Sequence, residues 1–107
     1  METLALYIVT WMASNQFEVV RAMYSEQMPS NLTAETLRNN WRRKIELFGP
    51  FDKVLKIEKD SNQDVVAAYC QFRTGQVRVE LAFDKTLTKI IGIYVRPATD
   101  PRAMPPK

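Results

Sequence analysis

Histidine is absent from this chain of 107 residues, and cysteine occurs once, at Cys70. The first absence removes the side chain most used for proton transfer near neutral pH and for holding transition metals. The second excludes an intrachain disulfide. An excess of one charge is also lacking: 15 Lys and Arg against 12 Asp and Glu leave a net +3. That excess is too small to imply a nucleic-acid partner by itself. No apolar run is long enough to cross a bilayer. TLALYIVTWMA, over residues 3–13, carries no charge but falls short of the roughly 20 residues needed. Glu2 follows Met1, so the positive region that opens a secretory signal is missing. The default expectation is a cytoplasmic protein without a membrane segment; a chain trimmed of a leader would read the same. There is no internal repeat and no sign of a second domain, and the length suits one domain.

What is present is an ordinary globular composition, 46% hydrophobic and 25% charged. It is organised around Val65 to Val95, which reads as three antiparallel strands. Thr74-Gly75 separates two alternating runs, as in a tight hairpin. Folding the chain there sets Arg73 opposite Gln76, Phe72 opposite Val77, Cys70 opposite Val79, Ala68 opposite Leu81 and Val66 opposite Phe83. That face is apolar. The other face pairs Gln71 with Arg78, Tyr69 with Glu80 and Val65 with Asp84. A slip of one residue would mix the faces. Beyond a turn within Lys85–Lys89, two registers compete. Pairing Phe83 with Ile91 and Leu81 with Ile93 keeps the apolar face continuous through Val95. Gly92 then lies on the other face, where a missing side chain allows a bend or a close approach.

Ahead of this meander, Leu4, Ile8 and Trp11, flanked by Ala5, Val9 and Met12, predict a first helix buried on most sides. Asn15 with Glu18 reads as the start of a second helix reaching about Gln27, with Phe17, Val20 and Tyr24 inside and Met23 beside them. Pro29 ends it. Thr33 caps a third helix whose seam is Leu37, Trp41, Ile45 and Phe48. Arg38, Arg42, Arg43 and Lys44 lie mostly off that seam, and Arg42 is spaced to pair with Glu46. Gly49-Pro50 stops the helix. Phe51 to Lys59 is a further strand that turns at Ser61-Asn62, setting Ile57 opposite Val66 and Leu55 opposite Ala68. The fold class is α+β, with helices packed on a four-stranded antiparallel meander. Residues 1–96 form the domain and 97–107 a proline-rich extended tail.

Two segments carry a resemblance. LTAETLRNNWRRKIELFGPFDKV resembles a pattern of Leu-Thr-x-Glu-x-Leu, a Trp, then Gly-x-Phe and a basic residue. QFRTGQVRVELAFDKTLTKIIGIYV resembles Phe-x-x-Gly, an alternating strand, Phe-Asp, then Ile-x-Gly. In order and spacing they resemble the bacterial domain of unknown function 3887 family, itself similar to the nuclear transport factor 2-like (SnoaL-like) superfamily. The chain departs at its last hairpin, where Leu87-Thr88 stands in place of a common Gly. The resemblance implies a curved, cystatin-like cone of sheet wrapped around helices, with an apolar pocket at its open end. Superfamily members include isomerases, cyclases, dehydratases and many domains without catalysis, and sheet-to-sheet dimers are common among them.

The residues best placed for such a pocket are Trp11, Trp41, Phe72, Phe83 and Ile93. For proton abstraction, Asp84 and Tyr69 qualify by type but fall on the outer face. Tyr24 has no carboxylate clearly beside it. Cys70 has no histidine to activate it and reads as a small buried hydrophobe. No acidic cluster has metal-ligand spacing, and Asp60 and Asp64 flank a turn. No cofactor, metal or catalytic residue is therefore assigned. The basic helix face is set apart from Trp41 and Phe48, so nucleic acid is not the expected partner. The expected function is that of a non-catalytic domain. It would bind a small apolar ligand in its cone or associate with itself as a homodimer. The alternative is an isomerase- or dehydratase-type enzyme. The expected dimer face is the outer sheet: Val65, Tyr69, Gln71, Arg78, Glu80, Ile90 and Tyr94. Tyr and Arg are types enriched where protein surfaces meet.

Overall fold

A computed structural model describes residues 2–26, 28, 30–60, 64–86 and 88–98. Helices α1 (Glu2–Ala13), α2 (Phe17–Arg21) and α3 (Ala34–Phe48) precede strands β1 (Phe51–Asp60), β2 (Val65–Phe72), β3 (Gln76–Phe83) and β4 (Ile90–Pro97). The strands form one antiparallel sheet in sequence order. The helices pack on one of its faces, an α+β arrangement. No described helix is long and apolar enough to cross a membrane.

Helix α1 buries Ala5, Ile8, Val9 and Met12. Leu6 and Tyr7 are exposed, so one side is covered rather than most sides. Its end is a Schellman turn. Gln16 N–H donates to the Trp11 carbonyl at 2.8 Å and Asn15 N–H to that of Met12 at 3.1 Å. Asn15 takes φ 63°, the left-handed conformation this motif needs. Asn15 therefore ends α1 and does not cap α2, whose N-cap is Gln16. Helix α2 stops at Arg21, well before Gln27, because the following backbone pairs with β4 instead. Ile90 N–H donates to the Met23 carbonyl and Ser25 N–H to that of Ile90, both at 2.8 Å.

Helix α3 begins as expected: Thr33 Oγ1 accepts from Thr36 N–H at 3.1 Å. It ends at Gly49, whose N–H donates to the Ile45 carbonyl at 2.7 Å. The buried stripe is Ala34, Leu37, Trp41 and Lys44. Ile45, expected on the seam, sits at its margin, 36% exposed. Lys44 is buried in its place, which a long aliphatic stem allows. Burial, and then Arg43, push the Lys44 pKa down. Arg42 donates to Asn39 Oδ1 at 2.5 Å rather than pairing with Glu46.

The inner faces of β2 and β3 match the predicted alternation. Val66, Ala68, Cys70 and Phe72 are buried, as are Val77, Val79, Leu81 and Phe83. Their pairing is offset by two, however: Cys70 meets Val77, Ala68 meets Val79, Val66 meets Leu81 and Tyr69 meets Arg78. The hairpin tip sets this register. Arg73 N–H donates to the Pro50 carbonyl at 3.0 Å and Thr74 N–H to that of Phe48 at 2.7 Å. The turn thus centres on Arg73-Thr74, clamped to the α3–β1 corner. Beside it, Gly49 has φ 84°, and a Cβ there would lie 2.7 Å from the Cβ of Arg73.

In β1, Ile57 meets Ala68 rather than Val66, and the register shifts between Phe51 and Lys53 and again between Val54 and Lys56. Each bulge adds an unpaired residue. Phe51, Val54 and Ile57 consequently all pack against the core, while Leu55 points away, 42% exposed. The Ser61-Asn62 turn lies outside the described residues. In β4, Leu81 meets Ile93 as expected, but a bulge at Ala82/Phe83 pairs Phe83 with Ile90 instead of Ile91. Gly92 sits opposite Ala82, under the ring of Tyr94, which a Cβ would meet at 3.4 Å. Strand β4 runs through Pro97, and Ala98 N–H donates to the Gln76 carbonyl at 2.9 Å. The folded body therefore passes the expected boundary at 96. The tail beyond Ala98 lies outside the described residues.

Candidate functional site

Among the described cavities, none is lined by more than one of the five pocket candidates. Trp41, Phe72 and Phe83 are buried, and Trp11 and Ile93 pack partly buried against the core. Trp41 meets Phe72 at 5.2 Å between ring centroids, and Phe51 meets both, at 5.8 and 5.7 Å. These rings fill the layer between α3 and the sheet. Trp11 stacks on Tyr7, 6.2 Å away along α1. Trp41 also borders a cleft of 340 Å³ among the helices, shared with Met12, Phe17, Arg38 and Arg42. Phe83 borders a separate hollow of 620 Å³ beside Asp64, Asp84 and Ile91. Ile93 borders a void of only 20 Å³ with Tyr24, Thr36 and Asn40, room for about one water molecule.

The groups considered for catalysis are dispersed in the same way. The Tyr24 hydroxyl is buried without a hydrogen-bond partner; burial raises its pKa and Arg21 lowers it less. The residues lining its void include no carboxylate. Asp84 is a loop staple. Its Oδ1 accepts from Thr86 Oγ1 at 2.8 Å and from the N–H groups of Thr88 and Lys89 at 3.2 and 3.3 Å. Those bonds, Thr86's above all, hold its carboxyl below the usual range. Cys70 is fully buried, and burial pushes its thiol up to about 12. Among the described residues, no three His, Cys, Asp or Glu side chains converge on a metal-sized space.

The outer sheet face is where charged and aromatic groups do converge. Strand pairing lays Lys56, Tyr69, Arg78 and Arg96 in one row across the sheet, and Glu58, Ala67, Glu80 and Tyr94 in the next. Lys56 reaches Glu58 at 3.0 Å. Arg78 and Arg96 reach Glu80 at 3.2 and 3.8 Å. The cations also lie over rings, Lys56 and Arg78 at 5.0 and 5.8 Å from the centroid of Tyr69, and Arg96 at 5.2 Å from that of Tyr94. The Lys56 contact pulls the Glu58 pKa down. Val65 and Gln71 lie partly covered on the same face, and Tyr94 stands out at 51% exposure.

Ile90 does not belong to this face. The bulge at Ala82/Phe83 turns it inward, and it is fully buried in the core. Lys56, Glu58 and Arg96 complete the two rows and were not among the residues the alternation pointed to. The bulges of β1 hid the first two. Arg96 followed by Pro97 reads as the start of a tail. A family model described as "Protein of unknown function (DUF3887)" matches residues 5–93. No curated protein and no solved structure matches the chain.

Proposed function

The chain belongs to the DUF3887 family of proteins of unknown function, and we propose that it is a non-catalytic domain that associates with itself through its outer sheet face. One observation carries this reading: a basic row and an acidic row lie side by side on a face that no described element covers. A two-fold axis between the rows sets the basic row of one copy against the acidic row of the other. A closed dimer needs this kind of self-complementary surface. Tyr69 and Tyr94 add contact area with few rotors to freeze. Strand spacing and rise give the face roughly 500 Å². Two copies would then bury about 1,000 Å², the lower end of specific interfaces. Micromolar dissociation constants fit that size. Self-association is preferred over an apolar ligand inside a nuclear transport factor 2-like cone because charged and aromatic groups converge on the outer face, whereas Trp41, Phe83 and Ile93 border separate described cavities.

Light scattering at tens of micromolar tests the proposal. Wild type should be dimeric, and the Tyr69→Asp, Tyr94→Asp double variant a folded monomer. A monomeric wild type, or a folded variant that stays dimeric, overturns it.

A further inference from the structure

A second surface, which shares no residue with the outer sheet rows, lies among the helices. The Schellman turn at Asn15 carries the chain from α1 into α2 and leaves a cleft against α3. Met12 and Phe17 from the first two elements and Trp41 from the third form its floor, each nearly buried. Arg38 and Arg42, one helical turn apart on α3, stand at its border. The Arg38 guanidinium lies over the Phe17 ring, 5.5 Å from its centroid. Arg42 is steadied by Asn39 Oδ1 at 2.5 Å. Neither forms an ion pair with a described carboxylate, and no Asp or Glu lines the cleft.

From this juxtaposition we infer that the cleft binds a small organic carboxylate with an apolar body. The floor favours the body, because ligand sites are mostly apolar with a few placed polar groups. The border favours the carboxylate. A guanidinium offers a planar fork of N–H donors that matches a carboxylate with two parallel hydrogen bonds. Stacking on Phe17 orients Arg38 before any ligand arrives, so less side-chain freedom is lost on binding. The volume of 340 Å³ lies at the small end of the range for ligand sites, which suits a bicyclic aromatic acid better than a long chain.

Isothermal titration calorimetry on the full chain, with 2-naphthoate and its uncharged amide, tests the inference. Naphthoate should bind saturably, and the amide at least tenfold more weakly. Arg38→Gln with Arg42→Gln should bring naphthoate down to the level of the amide while the circular dichroism spectrum is unchanged. Ile45→Glu, which places a carboxylate at the cleft's border, should weaken naphthoate by a larger factor than it weakens the amide; an equal loss for both would count against a carboxylate subsite. Equal affinity for acid and amide overturns the inference. So does the absence of saturable heat at millimolar naphthoate, or a double variant that binds like wild type. None of these outcomes bears on the oligomeric state, so the two proposals stand or fall separately.

Discussion

Gly75 tests the clamp between the β2–β3 hairpin tip and the end of α3. A Cβ at Gly75 would lie 2.3 Å from Cδ1 and 2.8 Å from Cε1 of Phe48, far inside the ~3.5–4 Å at which carbon atoms rest. Neither side yields freely. The Phe48 carbonyl accepts from Thr74 N–H at 2.7 Å and from Thr74 Oγ1 at 3.1 Å. If the ring moves, it leaves its rotamer at about 0.5–1.5 kcal/mol and gives up part of its burial, roughly another 1 kcal/mol. If the tip lifts, two hydrogen bonds are lost at about 1 kcal/mol each. Gly75→Ala should therefore cost about 2–3 kcal/mol, a fall of about 10–20 °C in Tm for a domain of this size. Gly75 is not held at positive φ; that conformation belongs to Gly49. The cost is thus steric and should vanish with the ring. In a Phe48→Ala background, Gly75→Ala should stabilise by about 0.4–1 kcal/mol, by restricting the unfolded chain. Urea denaturation of the four proteins closes the cycle. An equal cost with and without Phe48 refutes the reasoning.

Two further outcomes follow from the core. Trp41→Ala removes a ring packed on Phe51 and Phe72 and should cost about 3–5 kcal/mol; an unchanged urea midpoint would mean that Trp41 is not in the core. Cys70 links stability to alkaline pH. Its thiol ionises near 9.0 when exposed and at about 12 when buried, so between those values the unfolded chain sheds its proton first. The thiol's contribution to stability is intact below pH 9 and is lost as pH rises toward 12, by up to ~1.4 kcal/mol per pH unit. Urea midpoints at pH 8 to 11 should fall more steeply for wild type than for Cys70→Ala; parallel slopes would show that the thiol ionises in the native protein.

Period-two alternation made β2 and β3 legible, because Val66 through Phe72 and Val77 through Phe83 each bury every second residue. It could not fix their pairing, since a shift of two preserves the faces. That shift comes from Arg73 and Thr74 bonding to Pro50 and Phe48, a contact distant in sequence. Bulges broke the same rule in β1, where inward residues recur every three positions, and in β4, where Ile90 turns inward. Helix α2 read too long because Tyr24 lies at helical spacing after Phe17 and Val20, while its backbone pairs with Ile90. Of the outer rows, Tyr69, Arg78, Glu80 and Tyr94 were legible from regular strands. The helical cleft was not, because a cluster of arginines carries no mark of the turn at Asn15 that opens a space beneath two of them.

The interrupted pairing of β1 bears on how copies of this protein can meet. Strand β1 is one rim of the sheet, and a flat rim with free backbone groups invites a neighbour's strand. Here Lys53, Lys56 and Lys59 place charge along it, and two bulges break its ladder, so an incoming strand would have to desolvate charged groups and would meet an irregular template. At the opposite rim, the start of β4 is occupied by the bridge to Tyr24, and Pro97 near its end offers no N–H. With both rims obstructed, end-to-end growth into fibres is disfavoured even when a sheet surface is sticky. If copies stack face to face through that surface as proposed, the pairing uses up the surface and closes at two.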